Sequence, residues 1–150
     1  PLDADGNLRV SESRNLQNYT DAVEITALDA SRTYNGTQIG VAVYNVGMLF
    51  AFSPKQKFLK VTYFGFQMVL YKETTGIQNF YYDLKLNEQF VVNNWYQQVG
   101  IYPMSPSWGT NDPSICSFVN EGINVLRIDP IDEPFFIMNV KVFIEYTYQA

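Results

Sequence analysis

The sequence predicts an all-β fold, an antiparallel β-sandwich, and three observations carry the prediction. Residues 58–71 (FLKVTYFGFQMVLY) and 135–148 (FFIMNVKVFIEYTY) place apolar and aromatic side chains at the two-residue period of a strand, where a helix would scatter them. The 150 residues include 11 Phe and 11 Tyr but only 17% charged residues, a composition suited to pleated, half-buried surfaces. Turn-forming clusters such as Ser53-Pro54-Lys55-Gln56 and Asn120-Glu121-Gly122 break the chain between further apolar runs.

In the last long stretch, Phe136, Met138, Val140, Val142, Ile144, Tyr146 and Tyr148 share one face. The opposite face turns polar from Asn139 onward, with Phe143 the exception. A strand of this length spans roughly 46 Å and needs a partner along most of it, since an open edge templates aggregation. It is therefore expected at the centre of a sheet. Residues 58–71 are largely apolar on both faces in their second half, so one face calls for a second sheet. The other calls for a crossover segment or another subunit. Gly65 inside this strand predicts a bulge or the close approach of another backbone.

In chain order, residues 1–20 are polar, mixed in charge and poor in apolar side chains, and read as an extended arm. The sandwich domain is expected over residues 21–150, its first strand at 22–28. The turn dipeptide Asn35-Gly36 follows, then strands at 38–44 and 48–52. Residues 77–86 are expected to return as the hairpin partner of 58–71, with Phe80, Tyr82, Leu84 and Leu86 on one face. Residues 87–100 read two ways. Val91, Trp95 and Val99 have helical spacing between a capping Asn87 and a terminating Gly100, which weighs slightly ahead of a strand from Phe90 to Tyr96. Residues 102–113, with three prolines, form the longest loop and carry Trp108; 115–119 and 123–128 are read as strands, and 129–134 as an acidic connection.

Composition also excludes functions. With no histidine, Ser-His-Asp and Cys-His catalysis and His-ligated zinc are out of reach. No catalytic residue, cofactor or metal is assigned, and the chain is expected not to be an enzyme. A net charge of −5 argues against nucleic-acid binding, which needs a basic face. No apolar run is long enough to span a membrane, and no signal peptide is visible. Asp3, Asp5 and Asn7 form half a calcium loop without its distal glutamate, and Asp129, Asp132 and Glu133 have no fixed spacing; both read as solvated turns. Cys116 reads as a small core residue, Lys55, Lys57, Lys60 and Lys72 as solubilising charges, and the sequons at Asn18 and Asn35 as matters for a secreted chain alone. The interaction surface is expected at the loop aromatics Tyr102 and Trp108, at Trp95, and at Val69 and Tyr71 on the second face of the long strand.

About eight antiparallel strands, two very long, a polar N-terminal arm and long loops together suggest a jelly roll. This pattern over residues 22–148, with the style of the start Pro1–Val10, resembles the single-jelly-roll major capsid proteins of tailless icosahedral phages with an internal membrane. The resemblance implies a structural virion protein that associates with itself and other capsid subunits, near a membrane and without contacting nucleic acid. The alternative is an extracellular carbohydrate- or receptor-binding sandwich that stacks sugars on Trp108, Tyr102 or Trp95.

Overall fold

The computed structural model describes residues 17–29, 32–34, 37–39, 41–43, 46–71, 78–99, 107–131 and 135–149. The long strands are β1 (Asn18–Asp29), β5 (Val46–Phe52), β6 (Phe58–Tyr71), β7 (Gln78–Leu86), β8 (Gln89–Val99), β10 (Gly122–Pro130) and β11 (Phe135–Gln149). Short strands are β2 (Arg32–Tyr34), β3 (Thr37–Ile39), β4 (Val41–Val43) and β9 (Ser107–Thr110), and one helical turn, α1, covers Pro113–Cys116. Sheet one runs β1-β11-β6-β9, with β4 pairing the start of β11; sheet two runs β5-β10-β7-β8; β2 and β3 pair with each other. Counting the eight strands of the two main sheets in chain order, sheet one holds the first, eighth, third and sixth, and sheet two the second, seventh, fourth and fifth. This is the jelly-roll order.

β11 is the central strand expected of it. It pairs β1 from Asn18↔Gln149 to Asp29↔Asn139 and β6 from Phe136↔Tyr71 to Tyr148↔Phe58. The core lies between the sheets, where Phe64, Phe66, Met68, Val140, Val142, Ile144 and Tyr146 meet Phe52, Tyr82, Leu84, Leu86, Leu126 and Ile128. The alternation read from the sequence is the burial pattern over residues 64–68 and 140–146, while register shifts beside those stretches bring Val61 and Ile137, from the opposite faces, into the core.

Four expectations need correction. Residues 89–99 form a strand, not a helix. Asn87 and Glu88 both have positive φ (51° and 68°), as a two-residue hairpin turn requires, and the Asn87 side chain braces that turn by accepting from Val125 N–H at 2.9 Å. Register shifts at Leu84 and Lys85 bury the consecutive Val91 and Val92, and this broken alternation imitates helical spacing. Residues 77–86 were expected beside β6, yet β7 pairs β8 and β10 in the opposite sheet. Residues 115–119 are not a strand: Asp112 caps α1, accepting from Ser114 N–H at 2.9 Å, and Pro113 opens the turn with its preset φ. Finally, β1 begins at Asn18, inside the expected arm, and β10 extends through Pro130 into the expected connection. The rest of the arm, the Asn35-Gly36 turn, and Asp132 and Glu133 lie outside the described residues.

A candidate ligand platform on the outer face of sheet one

The outer face of sheet one can be written as rungs, because each strand's register is fixed. One rung is Ala22–Glu145–Tyr63; the next is Glu24–Phe143–Gly65–Gly109; the third is Thr26–Lys141–Gln67–Ser107. The middle rung is unusual. Phe143 is flanked on one side by a carboxylate and on the other by two facing glycines, while the rungs above and below carry mostly polar groups.

The two glycines make room for Tyr63. A Cβ on Gly65 would stand 2.9 Å from the Tyr63 hydroxyl and 3.0 Å from the Trp108 carbonyl oxygen, and one on Gly109 would collide with the Tyr63 hydroxyl and ring. The Tyr63 ring therefore covers Gly65, which is buried, and reaches over Gly109, which stays exposed. This is the packing by which aromatics compensate for glycine in strands. Gly65 marks a close backbone approach, as the sequence indicated. Tyr63 and Phe143 are both half-buried, so each ring is held against the sheet yet keeps surface in water. Together with Ala22, Val23, Glu24, Ile144 and Glu145 they line a shallow groove of about 450 Å³.

Charge on this face is mixed, with one carboxylate in excess among the described residues. Lys141 Nζ lies 3.2 Å from Glu24 Oε1, with both side chains about half exposed. Glu145 and, opposite Thr147 one rung further on, Lys60 supply the second charge of each sign, and Asp29, opposite Asn139, a third carboxylate.

A second cluster sits at the end of the sandwich where β1 begins. Tyr146 donates its hydroxyl proton to Asp21 Oδ2 at 3.1 Å, Lys55 Nζ is 3.5 Å from the same oxygen, and Tyr19 stacks on Tyr148 with centroids 5.5 Å apart. The Ala22 N–H and then the Tyr146 hydroxyl hold the Asp21 carboxyl below its ordinary value. The Lys55 ammonium is held up, first by Tyr148 and then by Asp21. Burial raises the Cys116 thiol, disfavouring the reactive thiolate. Among the described residues, no group of three or more Asp, Glu or Cys comes together as metal ligands would.

The residues expected to form an interaction surface are dispersed. Trp108 is not a loop residue: it lies in β9, half-buried against Phe66 with ring centroids 5.7 Å apart. Trp95 is 39% exposed on β8, the edge of the other sheet. Val69 is half-buried opposite Asn139, two rungs beyond Phe143, and Tyr71 pairs with Phe136 at the far end of β6. Tyr102 lies outside the described residues. The groove residues Tyr63, Phe143, Glu24 and Glu145 were not singled out as a site. Their one sequence signal was Phe143, the apolar exception on a polar face.

No family model and no curated protein sequence matches the chain. Among solved structures, the chain is similar to dimeric latent PorU from Porphyromonas gingivalis, with a TM-score of 0.52 and 7% identity over 88% of this chain; it spans only 13% of that protein. It is also similar to the CBM36-1 domain of a multidomain xylanase from the hindgut metagenome of Trinervitermes trinervoides (TM-score 0.47, 13% identity, 81% of this chain and 96% of that one). A third is a family 35 carbohydrate binding module from Clostridium thermocellum (TM-score 0.46, 14% identity, 83% and 90%). At these identities the PorU likeness concerns the fold alone.

Proposed function

We propose that the chain is a non-catalytic recognition domain that binds carbohydrate on the outer face of sheet one. The observation that carries this reading is the pair of rings, Tyr63 and Phe143, held side by side against the sheet. An aromatic ring already fixed by its glycine floor loses little side-chain entropy when a sugar stacks on it. Polar groups on both flanking rungs are placed to meet ring hydroxyls, in the usual division of labour between an apolar floor and a few orienting polar groups. Expected localisation is then extracellular. The test is glycan-array screening followed by calorimetry on the best ligand. Tyr63→Ala and Phe143→Ala should each lower affinity by about tenfold or more, or about 1.4 kcal/mol, with an unchanged circular dichroism spectrum. Absence of binding to every glycan would overturn the reading.

A second reading, a self-associating subunit of a capsid-like shell, draws on the opposite face. There Leu49 and Ile123 are 64% and 63% exposed on neighbouring strands, next to Ala51 and Val125. The edge strand β5, VGMLFAF, carries no charge and no proline to deter pairing with a second copy.

A further inference from the structure

Resting on the carbohydrate reading, we propose that the platform selects a neutral, flat, equatorially substituted glucose-type chain running across the strands, and discriminates against charged and axially substituted sugars. Direction follows from the rungs. Glu24, Phe143, Gly65 and Gly109 cross four adjacent strands, a row of roughly 14 Å at the usual inter-strand spacing. Phe143 stands on β11, and the Tyr63 ring lies over β6 and β9, so two stacking positions follow one another across the sheet, not along a strand. A short oligosaccharide fits this row better than a single sugar.

Shape follows from what borders the row. Hydrogen-bonding groups border the two rings on every side: Glu145 on one rung, Thr26, Lys141, Gln67 and Ser107 on the other, with Glu24 at one end of the row and the Tyr63 hydroxyl over the glycines at the other. A pyranose whose hydroxyls are all equatorial carries them around its rim and presents C–H faces above and below. Laid on Phe143 and Tyr63, it sends its hydroxyls toward both polar rungs. In a β1,4-linked chain successive sugars turn opposite faces to the sheet, so an axial hydroxyl would point into an aromatic ring at one of the two stacking positions, losing its water without gaining a partner.

Neutrality follows from the charges. Among the described residues the face holds two cations, Lys60 and Lys141, against three anions, Glu24, Glu145 and Asp29, and the one lysine beside the row, Lys141, is already paired with Glu24 at 3.2 Å. A uronic acid or sulfated sugar meets Glu24 and Glu145 before any unpaired cation. An amino sugar would gain at Glu145 but meet the Lys141 ammonium in the polar rung opposite.

The experiment is calorimetry of the full chain against cellohexaose, mannohexaose, an oligogalacturonate and a chitosan oligosaccharide of equal length, at low and high salt. Cellohexaose should bind at least about tenfold tighter than the other three, with affinity unchanged by salt, as expected where no net charge is neutralised. Glu145→Gln, which keeps an acceptor and removes a charge, should retain cellohexaose binding, while Phe143→Ala loses it. Tighter binding of the anionic or cationic chain, or equal binding of mannohexaose, with loss in Phe143→Ala, would overturn the selectivity and leave the carbohydrate reading intact. Failure of all four chains, and of a wider glycan array, would remove both.

Discussion

Tyr146 and Asp21, 125 positions apart in the chain, are joined by a hydrogen bond of 3.1 Å that ties the first strand of the sandwich to the last. Lys55 closes the triangle, its backbone N–H donating to the Tyr146 hydroxyl at 3.3 Å and its ammonium facing Asp21. Since the folded carboxyl titrates below its ordinary 3.8, its stabilisation is complete above that value and is lost as pH falls through the depressed folded value. Asp21→Asn should therefore lower the melting temperature at neutral pH. Thermal melts across the acid range should show the gap between the two proteins closing below that value.

At alkaline pH the buried phenols dominate. Burial raises Tyr82 far above its ordinary value of 10.0, and burial, then the Asp21 carboxylate, raises Tyr146. A raised phenol contributes stability fully below the unfolded value and loses it as pH rises toward the folded one. In a spectrophotometric titration, a fraction of the tyrosines should ionise only together with the unfolding transition. Tyr82→Phe should move that transition to higher pH.

Asn124 is fully buried and satisfied. It accepts from Asn87 Nδ2 at 2.8 Å and Asn120 N–H at 2.7 Å, and donates to the Asn120 carbonyl at 2.8 Å. Asn124→Ala would strand donors on both neighbours and should cost about 2–4 kcal/mol in chemical denaturation.

Asp129 gives the opposite expectation. It stands directly opposite Asp83, and its buried Oδ1 has no hydrogen-bond partner among the described residues. Like charges facing each other across a ladder destabilise it, so Asp129→Asn should raise stability by up to about 1 kcal/mol. Denaturation midpoints of the two proteins decide it.

The exposed pair Leu49 and Ile123 makes the assembly reading measurable. If a second copy covers them, sedimentation should show concentration-dependent association that Leu49→Asp combined with Ile123→Asp abolishes. A monodisperse monomer at every concentration would leave the carbohydrate reading alone.

The long strands were legible because over most of their length their inner faces obey one rule, apolar at every second position, which the register shifts at Val61 and Ile137 interrupt without erasing. β8 was not, because two register shifts put consecutive valines inside. The hairpin at Asn87-Glu88 lacks the glycine that advertises such turns, its positive φ values being stabilised by hydrogen bonds to residues about 30 positions away. Partner choice was equally hidden: β7 has the right face for a sandwich, but nothing local says which sheet it joins. The platform itself depends on Gly109 facing Gly65, a pairing between strands 44 positions apart. Sequence showed Phe143 misplaced on a polar face; only register showed what lay beside it.

The pairing of Asn18 with Gln149 also decides how the domain responds to force. β1 and β11 are antiparallel neighbours that begin and end at the same point. Tension applied between these two residues pulls the ladder apart from that end, one rung after another, instead of shearing all its hydrogen bonds together. The sandwich is thus built to peel under load, with the Tyr146–Asp21 bond, three rungs in from that end, among the first attachments to carry the strain.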